Sequence, residues 1–486
     1  MHLAVGVFPD WLASRARTNP DRIALSADGR TWTFAELDAD VTRLSRKLSG
    51  LGVGEGERVA TLLHNGALPA MLAHAALRLG ATLVPLNVRL TRGEIECHLG
   101  DVSPTLLITS ERTRSIAIGS AVKVIDETDL ALAPEADAVL RSEHPSDSVL
   151  AVIYTSGTTG TPKGAMLTVA NFWWNAIGSA LNLGTQEHDR WIICLPMFHV
   201  GGLSIIMRSA IYGTTAVVQD GFDAARVNEE IDDRNATLVS VVSVMLERMI
   251  ADRNNRPYPP TLRCVLVGGG PAPLPLLERC TSLGIPVVQT YGLTETCSQA
   301  VTLSSEDSQR RLGSAGKALY PNEIRIDTTD GDEGEILVRG PIVTPGYFQR
   351  PDATARTIVD GWLHTGDIGR LDAEGFLYVL DRRDDLIVSG GENVYPAEVE
   401  AALLAHESVE EAGVIGVADE TWGQRVVAIV KTNTQVDAGI LDAHCRTFLA
   451  GYKTPREFRF VNEPLPRTAS GKIRRGVLRD SLGELS

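Results

Sequence analysis

Cysteine is scarce in this chain, and its spacing fits neither a disulfide framework nor a zinc site. The 486 residues include six cysteines, and no two of them form a CxxC pair. A disulfide-stapled domain needs many closely spaced cysteines, and a structural zinc site needs pairs of ligands a few residues apart. The sequence therefore predicts reduced thiols, as in a cytoplasmic protein. The cysteines stand at 97, 194, 264, 280, 297 and 445.

Long apolar runs and a surplus of positive charge are also missing. No apolar run approaches the ~18 residues that span a bilayer, and the opening MHLAVGV carries no basic segment ahead of a long apolar core. The formal net charge is −15, which argues against a general nucleic-acid binder and against a polybasic membrane anchor. Any anionic substrate must be met by local cations, since the overall field repels it.

No internal repeat stands out, and the length of the chain predicts two or more globular domains, because a typical domain has ~150 residues. Up to residue 310, short apolar segments alternate with helical patterns. This alternation predicts a parallel sheet with crossover helices. The predicted strands are 59–63, 82–86, 149–153, 191–195, 214–218, 237–242 and 263–267, and the predicted helices include 67–79, 203–210, 223–234 and 243–252.

The pattern changes after residue 311. Short strands at 323–326, 334–338 and 376–379, separated by Gly and Asp turns, predict a small antiparallel barrel. A charged break, DRRDD at 381–385, precedes a second region of βαβ-like alternation. We interpret that region as a separate small domain behind a hinge, in a protein of the α/β class.

The most informative motif is YTSGTTGTPKG at 154–164, which follows the predicted buried strand 149–153. Its glycines let the backbone turn tightly, its hydroxyls and N–H groups donate hydrogen bonds, and Lys163 adds a positive charge. Such a loop is suited to holding phosphate. It is not a Walker A loop, because the GxxxxGK[ST] spacing does not fit. The alternative is a Gly/Thr-rich surface turn.

Three further motifs follow predicted strands. His199 lies in PMFHVGG at 196–202, although a lone histidine is usually structural. GGGP at 268–271 lets backbone approach a flat ligand, unless it is a plain strand-to-helix turn. In YGLTET at 291–296, the carboxylate of Glu295 suits Mg²⁺, which proteins hold with one or two carboxylates plus substrate phosphates. The alternative for Thr294 is to cap a helix start.

Two motifs stand later in the chain. Asp367, in TGD at 365–367, can accept the hydroxyls of a ribose, but a simple turn aspartate is an equal alternative. Lys472 lies in PRTASGKI at 466–473, and a lysine on such a loop is usually a solvated surface residue.

In this order along the chain, the motifs resemble those of the adenylate-forming superfamily of acyl-CoA synthetases, luciferases and adenylation domains. The likeness runs from TFAEL at 33–37 to Lys472. It implies a large N-terminal domain at 1–381 with parallel and mixed sheets, helices and a small β-barrel. It also implies a hinge at 382–384 and a small mobile α+β lid domain at 385–486. One departure is Asp381, where many members have glycine.

Longer segments, such as LPMFHVGGLS at 195–204 and TETCSQ at 294–299, are similar to the o-succinylbenzoate–CoA ligases of menaquinone biosynthesis within this superfamily. The resemblance implies an ATP-dependent ligase that joins a carboxylic acid to coenzyme A through an acyl-adenylate. It also implies Mg²⁺ as cofactor and small-molecule partners, with neither nucleic acid nor stable membrane insertion.

The resemblance also implies roles for individual residues. Those expected to bind ATP or CoA are Thr155, Ser156, Gly157, Thr158, Thr159, Gly160, Lys163, Gly268, Gly269, Gly270, Pro271, Gln289, Tyr291, Gly292, Thr294, Asp367, Arg382 and Gly391. Those expected to be catalytic are Lys472, His199, Thr294 and Glu295, with Glu295 as the Mg²⁺ ligand and Asp384 as the hinge residue.

A second carboxylate on o-succinylbenzoate requires its own partner in the acyl pocket, since burying an unpaired carboxylate costs several kcal/mol. Arg208 follows His199 by nine residues on an apolar helical segment, and its planar fork suits a carboxylate. The alternative is that Arg208 extends to solvent. Ser240 and Ser243 are candidate hydroxyl donors to the same group.

Three other functions remain open. An amino-acid-activating enzyme usually places an aspartate where this chain has TLVSVVSV at 237–244, which contains no acid. Another aryl- or medium-chain acyl-CoA synthetase is poorly distinguished by sequence. A non-catalytic nucleotide-binding relative is disfavoured, because Glu295, Asp367, Arg382 and Lys472 are all present.

Overall fold

The structure is a computed structural model that describes residues 6–117, 119–155, 162–254, 256–270, 272, 274–328, 332–381, 387–394, 396–466, 473, 475 and 477–479. It divides into two compact units, described separately below. The larger unit comprises residues 1–88, 99–153 and 164–380, and the smaller comprises 89–98, 154–163 and 381–486. Within the described residues, no helix is both long and apolar enough to cross a membrane. All six cysteine thiols are unpaired, as predicted.

A nine-stranded sheet dominates the larger unit. Its central strands are parallel and its edge strands antiparallel. This mixture follows from the crossover helices that separate the central strands along the chain. In spatial order the strands are Lys317–Ala318, Val301–Thr302, Val287–Tyr291, Cys264–Val267, Leu238–Val241, Arg190–Ile193, Thr215–Val218, Ile23–Ala27 and Arg30–Thr33.

A second sheet has six strands, and the pairs along its central part are parallel. Its order is Lys163–Thr168, Val149–Thr155, Thr82–Pro85, Arg58–Leu62, Leu106–Thr109 and Val124–Asp126. A short antiparallel pair joins Val7–Pro9 to Glu143–Pro145. The α/β alternation predicted for the first 310 residues is thereby confirmed, with most strand ends within one or two residues of the predicted bounds.

The predicted small barrel is present as a curled five-stranded sheet whose neighbouring strands run antiparallel. Its strands are Glu323–Asp327, Glu333–Arg339, Trp362–Leu371 and Ile358–Val359 in spatial order, with Leu377–Asp381 also paired to Trp362–Leu371. Ile336, Val338, Leu363 and Leu377 fill its core. Asp367 lies on the long strand of this sheet.

Helices cover the sheets. The predicted helix at 203–210 starts earlier, directly after His199. The helices outside the C-terminal region are Trp11–Thr18, Phe34–Gly50, Ala67–Leu79, Arg92–Val102, Arg114–Ala117, Glu127–Leu132, Val169–Leu183, Val200–Tyr212, Ala224–Arg234, Ser243–Arg253, Leu274–Ser282 and Pro351–Thr357.

Local sequence explains where the helix Phe34–Gly50 begins. The Thr33 hydroxyl accepts a hydrogen bond from the Glu36 N–H at 3.2 Å, and the Glu36 carboxylate accepts one from the Thr33 N–H at 2.8 Å. This reciprocal capping box satisfies N–H groups that have no partner inside the helix. Leu37, Val41 and Leu48 then recur at helical spacing and are buried.

The smaller unit has an α+β core, as expected for the C-terminal region. Its strands are, in order, Glu392–Val394, Ile387–Ser389, Gly423–Thr432 and Val409–Asp419, and Glu457–Val461 runs parallel to Gly423–Thr432. The helices Pro396–Leu404 and Ala438–Phe448 supply Leu403 and Leu441 to its core.

A buried ion network connects the first helices of the larger unit. Arg78 donates to both carboxylate oxygens of Asp10, at 2.9 and 3.1 Å, and also to Asp38. Burial opposes charge on Asp10, yet hydrogen bonds from His144 and Arg78 outweigh it and hold the pKa of Asp10 far below its usual range. Asp10 also caps the helix Trp11–Thr18 through the Ala13 N–H. The network thus joins one helix start to another helix.

Replacing Arg78 by methionine should lower the free energy of unfolding by about 3–5 kcal/mol, because it leaves Asp10 buried without its counter-charge. The matched control is Arg112→Met, which breaks an exposed pair with Asp220 and should cost less than about 1 kcal/mol. Chemical denaturation of both variants beside the wild type measures the difference. Equal losses would show that the buried network contributes no more than a surface pair.

Candidate active site

Tyr291 and Asp367, predicted separately to bind nucleotide, lie in direct contact. The Tyr291 hydroxyl donates to Asp367 Oδ2 at 2.8 Å, and both side chains are buried. The backbone N–H of Asp367 donates to the Thr365 hydroxyl at 3.0 Å, which fixes the part of the strand that carries the carboxylate. An aromatic ring therefore lies next to an oriented acceptor of hydroxyl hydrogens.

The glycines near this pair are required by the packing of the chain itself. A Cβ on Gly268 would lie 2.8 Å from Thr290 Cγ2, and one on Gly292 would lie 1.6 Å from the Ser298 carbonyl oxygen. Gly269 has a left-handed φ of +80°, which side-chain-bearing residues rarely adopt. These contacts require glycine at Gly268, Gly269 and Gly292 for the packing of the chain alone.

Glu295 lies in a single 3₁₀ turn, Thr294–Thr296, after the strand that ends at Tyr291. Its Oε1 accepts a hydrogen bond from the Tyr347 hydroxyl at 2.8 Å. The cap of this turn is Leu293, whose N–H donates to the Thr296 hydroxyl at 2.8 Å. The capping role considered for Thr294 is therefore wrong, since Thr296 makes that bond.

One carboxylate in a turn fits the way Mg²⁺ binds beside a nucleotide. Within the described residues, no group of three or more His, Cys, Asp or Glu side chains forms a metal cage. Mg²⁺ usually takes one or two protein carboxylates and completes its shell with phosphates and water. Glu295 therefore fits as a single protein ligand to nucleotide-bound Mg²⁺.

The two ends of the predicted phosphate loop lie on neighbouring strands. Thr155 ends the strand Val149–Thr155, Lys163 begins Lys163–Thr168, and the Thr155 hydroxyl donates to the Lys163 carbonyl at 3.4 Å. The loop residues Ser156, Gly157, Thr158, Thr159 and Gly160 lie outside the described residues, as do Pro271, Arg382, Asp384 and Lys472.

Arg208 is fully buried, so the alternative in which it extends to solvent is wrong. Its side chain lies on the helix Val200–Tyr212, which begins after His199, and 2% of the residue is exposed. One guanidinium nitrogen donates to the Asn175 amide oxygen. The guanidinium carbon lies 5.5 Å from the centre of the Trp191 ring, within range of a cation–π interaction.

Trp191 links Arg208 to Ser240, because its indole N–H donates to the Ser240 hydroxyl at 3.0 Å. Two of the three residues predicted to read a second carboxylate are thereby brought to one aromatic ring. Ser243, the third, is the first residue of the helix Ser243–Arg253. His199 packs edge-on against Phe198 at 4.7 Å between ring centres.

The charge of Arg208 is not balanced by any described carboxylate. Burial lowers the pKa of its guanidinium, and its Nε has no hydrogen-bond partner among the described residues. In the same described part of the chain, the buried amide nitrogen of Gln299 has no hydrogen-bond partner either. Buried polar groups are normally paired, and a buried charge without a counter-charge is costly. Such a place is suited to an anionic ligand.

Gln289 and Gly391 complete the predicted set. The Gln289 side chain donates to the Ser314 carbonyl at 3.0 Å and is buried. It therefore supports the backbone segment around Ser314. Gly391 lies in the turn between Ile387–Ser389 and Glu392–Val394, with a left-handed φ of +83°. It belongs to the smaller unit.

Family models match most of the chain. The model of AMP-binding enzymes matches residues 12–348, and the model of the AMP-binding enzyme C-terminal domain matches residues 398–472. The chain belongs to the AMP-binding enzyme family. This AMP-binding enzyme is 50% identical over 479 residues to a 2-succinylbenzoate–CoA ligase from Geobacillus kaustophilus, with 97% of each chain covered. It is 48% identical over 479 residues to the ligase of that name from Geobacillus sp. strain WCH70, again with 97% of each covered.

Solved structures extend the comparison. A double mutant of o-succinylbenzoate CoA synthetase from Bacillus subtilis, bound with its product analogue OSB-NCoA, matches this AMP-binding enzyme with a TM-score of 0.94 at 44% identity. The match covers 98% of this chain and 99% of the other. The Bacillus subtilis synthetase in complex with ATP and magnesium ion matches with a TM-score of 0.75 at 43% identity, covering 98% and 100%.

Sequence reasoning missed Tyr347 and Asn175. Tyr347 lies 52 positions from Glu295, and Asn175 lies 33 positions from Arg208. Neither pairing has a local spacing signal, because both contacts form only when distant elements pack. A buried tyrosine hydroxyl usually needs a partner, but the sequence does not show which one.

Replacing Gly292 by alanine should lower the free energy of unfolding by about 1–3 kcal/mol, because the new Cβ would overlap the Ser298 carbonyl. The control is Gly100→Ala in the helix Arg92–Val102, where a Cβ meets nothing within 4 Å. That change should stabilise the helix by about 0.5–1 kcal/mol. Denaturation curves measure the two changes in the free energy of unfolding, which should have opposite signs. A Gly292→Ala variant as stable as wild type would contradict the packing argument.

Proposed function

We propose that this AMP-binding enzyme is a 2-succinylbenzoate–CoA ligase of menaquinone biosynthesis. It joins the acid to coenzyme A and converts ATP to AMP and pyrophosphate, with Mg²⁺ as cofactor. Full-length identity to ligases of that name supports the proposal. The six unpaired cysteines fit a reducing compartment, so we propose the cytoplasm as its location.

The observation that carries the substrate assignment is the buried guanidinium of Arg208, which no described carboxylate balances. The acid has an aliphatic carboxylate, which reacts, and an aromatic carboxylate, which does not. An acid pocket for this substrate therefore needs a fixed cation that takes no part in the chemistry. Arg208, buried and supported by Asn175 and Trp191, provides it. Ser240 and Ser243 are proposed as further donors, with His199 at the same pocket.

The nucleotide is proposed to bind among the predicted nucleotide-binding residues at the strand ends. Tyr291 and Gly268 to Pro271 flank the adenine, and Asp367, with Arg382, accepts the ribose hydroxyls. Thr294 contacts the α-phosphate, and the loop from Thr155 to Lys163 holds the phosphates. Glu295 is the protein ligand of Mg²⁺, which neutralises phosphate charge when bound.

The reaction then proceeds in two displacements. A carboxylate oxygen of the acid attacks the α-phosphorus of ATP, the new O–P bond forms, and the bond to pyrophosphate breaks. The sulfur of coenzyme A, having lost its proton, next attacks the acyl carbonyl. A C–S bond forms and the C–O bond to AMP breaks. Catalysis of such steps rests mainly on positioning and on charge placed where it develops.

The C-terminal region is proposed to serve both displacements. With domain bounds at 1–381 and 385–486 and a hinge at Asp384, Lys472 would neutralise charge during adenylation. The turn that carries Gly391 would border the path of coenzyme A during thioester formation. Lys472 and the turn that carries Gly391 cannot both occupy the same place. A hinged lid resolves this conflict, because it presents one of them in each step.

The function is tested by offering several acids with ATP, Mg²⁺ and coenzyme A and measuring thioester and AMP. The proposal expects the highest kcat/KM with 2-succinylbenzoate, well above benzoate, succinate and fatty acids. A higher kcat/KM with a mono-acid would overturn the substrate assignment. Absence of AMP release with every acid would overturn the reaction class.

Arg208→Gln should raise KM for 2-succinylbenzoate by roughly one to two orders of magnitude, since a hydrogen bond to a charged group is worth about 1.5–3 kcal/mol. KM for ATP should change little. The ratio of kcat/KM for 2-succinylbenzoate to kcat/KM for 4-oxo-4-phenylbutanoate, which lacks the aromatic carboxylate, should become smaller. Arg226→Gln, an exposed arginine, is the control. An unchanged ratio of kcat/KM between the two acids eliminates Arg208 as the reader of the aromatic carboxylate.

Lys472→Ala should abolish adenylate formation, measured by ATP–pyrophosphate exchange, because adenylation loses its mobile cation. Thioester formation from a preformed acyl-adenylate should largely survive. Lys431→Ala, which removes a lysine paired with Glu410, should leave both half-reactions intact. Equal loss of both half-reactions in Lys472→Ala would refute the division of labour.

A further inference from the structure

The contact between Tyr347 and Glu295 joins the proposed metal carboxylate to a distant segment of the larger unit. The tyrosine hydroxyl donates to Glu295 Oε1 at 2.8 Å, and 7% of Tyr347 is exposed. A hydrogen bond of this length from a buried donor restricts rotation of the carboxylate about its last torsion. Glutamate otherwise has a broad rotational preference at that bond.

The segment that carries Tyr347 also holds the backbone of Glu295. The Thr344 N–H donates to the Glu295 carbonyl at 2.8 Å. Glu295 is therefore bound twice by residues 344–347, once through its backbone and once through its carboxylate. A carboxylate fixed at both points has lost most of the freedom that a metal ion would otherwise have to remove on binding.

The segment is itself anchored to the strand that Lys163 begins. The Phe348 N–H donates to the Gly164 carbonyl at 2.8 Å, and the Met166 N–H donates to the Gly346 carbonyl at 3.0 Å. The Tyr347 N–H donates to the Thr354 hydroxyl at 2.9 Å. Gly346 allows this approach, because a Cβ there would lie 2.4 Å from Thr354 Cγ2. The backbone that carries Tyr347 therefore cannot move away from Glu295 without breaking these bonds.

We propose that Tyr347 is a positioning residue that presents the Glu295 carboxylate to nucleotide-bound Mg²⁺. The inference rests on the proposed role of Glu295 and adds to it the residue that orients the ligand. The hydroxyl occupies one lone pair of Oε1, stabilises the charged carboxylate and leaves its plane fixed for the metal. Removing such an outer hydrogen bond typically weakens metal affinity about 10–100-fold.

A purely structural role gives a different expectation. The Tyr347 ring also packs with Ala165 and Ala353, and phenylalanine keeps that packing while removing only the hydroxyl. If the tyrosine serves packing alone, Tyr347→Phe leaves metal binding unchanged. If it positions Glu295, the same substitution weakens binding of the metal complex and spares binding of the nucleotide itself.

The test measures the dissociation constant of ATP by calorimetry, once with Mg²⁺ and once with EDTA. In Tyr347→Phe, affinity for the magnesium complex should fall about tenfold, while affinity for metal-free ATP should change less than about twofold. Electron paramagnetic resonance of Mn²⁺ with ATP, which reports metal binding without turnover, should show the same loss. The proposal would be overturned if Tyr347→Phe bound the magnesium complex of ATP as tightly as wild type does.

Two further variants separate the possible failures. Tyr258→Phe removes another tyrosine hydroxyl, bonded to Asn228, and should leave both affinities unchanged. Mg²⁺ raises the affinity for ATP in the wild type, and Glu295→Gln should lose this gain in affinity more completely than Tyr347→Phe. If Glu295→Gln loses it and Tyr347→Phe does not, the tyrosine inference alone is overturned. If Glu295→Gln keeps it, Glu295 is not the metal ligand and both assignments are overturned, whereas the assay of acids still decides the overall reaction.

Discussion

The buried guanidinium of Arg208 is the constraint on which the proposed acid pocket depends. A charge in the interior is tolerated only when its hydrogen bonds and counter-charge outweigh the cost of desolvation. Here Asn175 and the Trp191 ring provide partial support, and no described carboxylate balances the charge. In the proposed function, the natural partner of this cation is an anionic ligand. In the proposed reaction that ligand is the carboxylate that does not react.

The same support reaches the turn Thr294–Thr296 that carries Glu295. Asn175 accepts from Arg208 and donates to the carbonyls of Thr296 and Gln299, at 3.3 and 2.8 Å. Between those carbonyls, Cys297 and Ser298 have left-handed φ values of +53° and +99°, which cost energy in residues with side chains. One asparagine thus contacts both Arg208 and the strained end of the turn that carries Glu295. In the proposed function, recognition of the acid and placement of the metal carboxylate therefore share a support.

Local pattern predicted the elements well and the long-range contacts poorly. Apolar strands such as Val149–Thr155 and helices such as Ala67–Leu79 follow from periodicity and from glycines at their ends, and motif order identified the superfamily. Whether Arg208 faced inward was undecided, because a helical position does not state what packs against it. Tyr347 escaped notice because its partner lies far along the chain. Gly268 was interpreted as room for a ligand, although contact with Thr290 already requires it.

The central claim is that Arg208 serves to bind the acid and does not stabilise the folded protein. The measurement is the thermal stability of wild type and Arg208→Met, each without and with saturating 2-succinylbenzoate. Replacing a buried charge by an apolar side chain is often neutral or stabilising, so the variant should be at least as stable as wild type without the acid. Adding the acid should raise the Tm of wild type by clearly more than the Tm of the variant, because the variant binds the acid more weakly. A variant that is less stable than wild type by the same amount in both conditions would contradict the account and make Arg208 a structural residue.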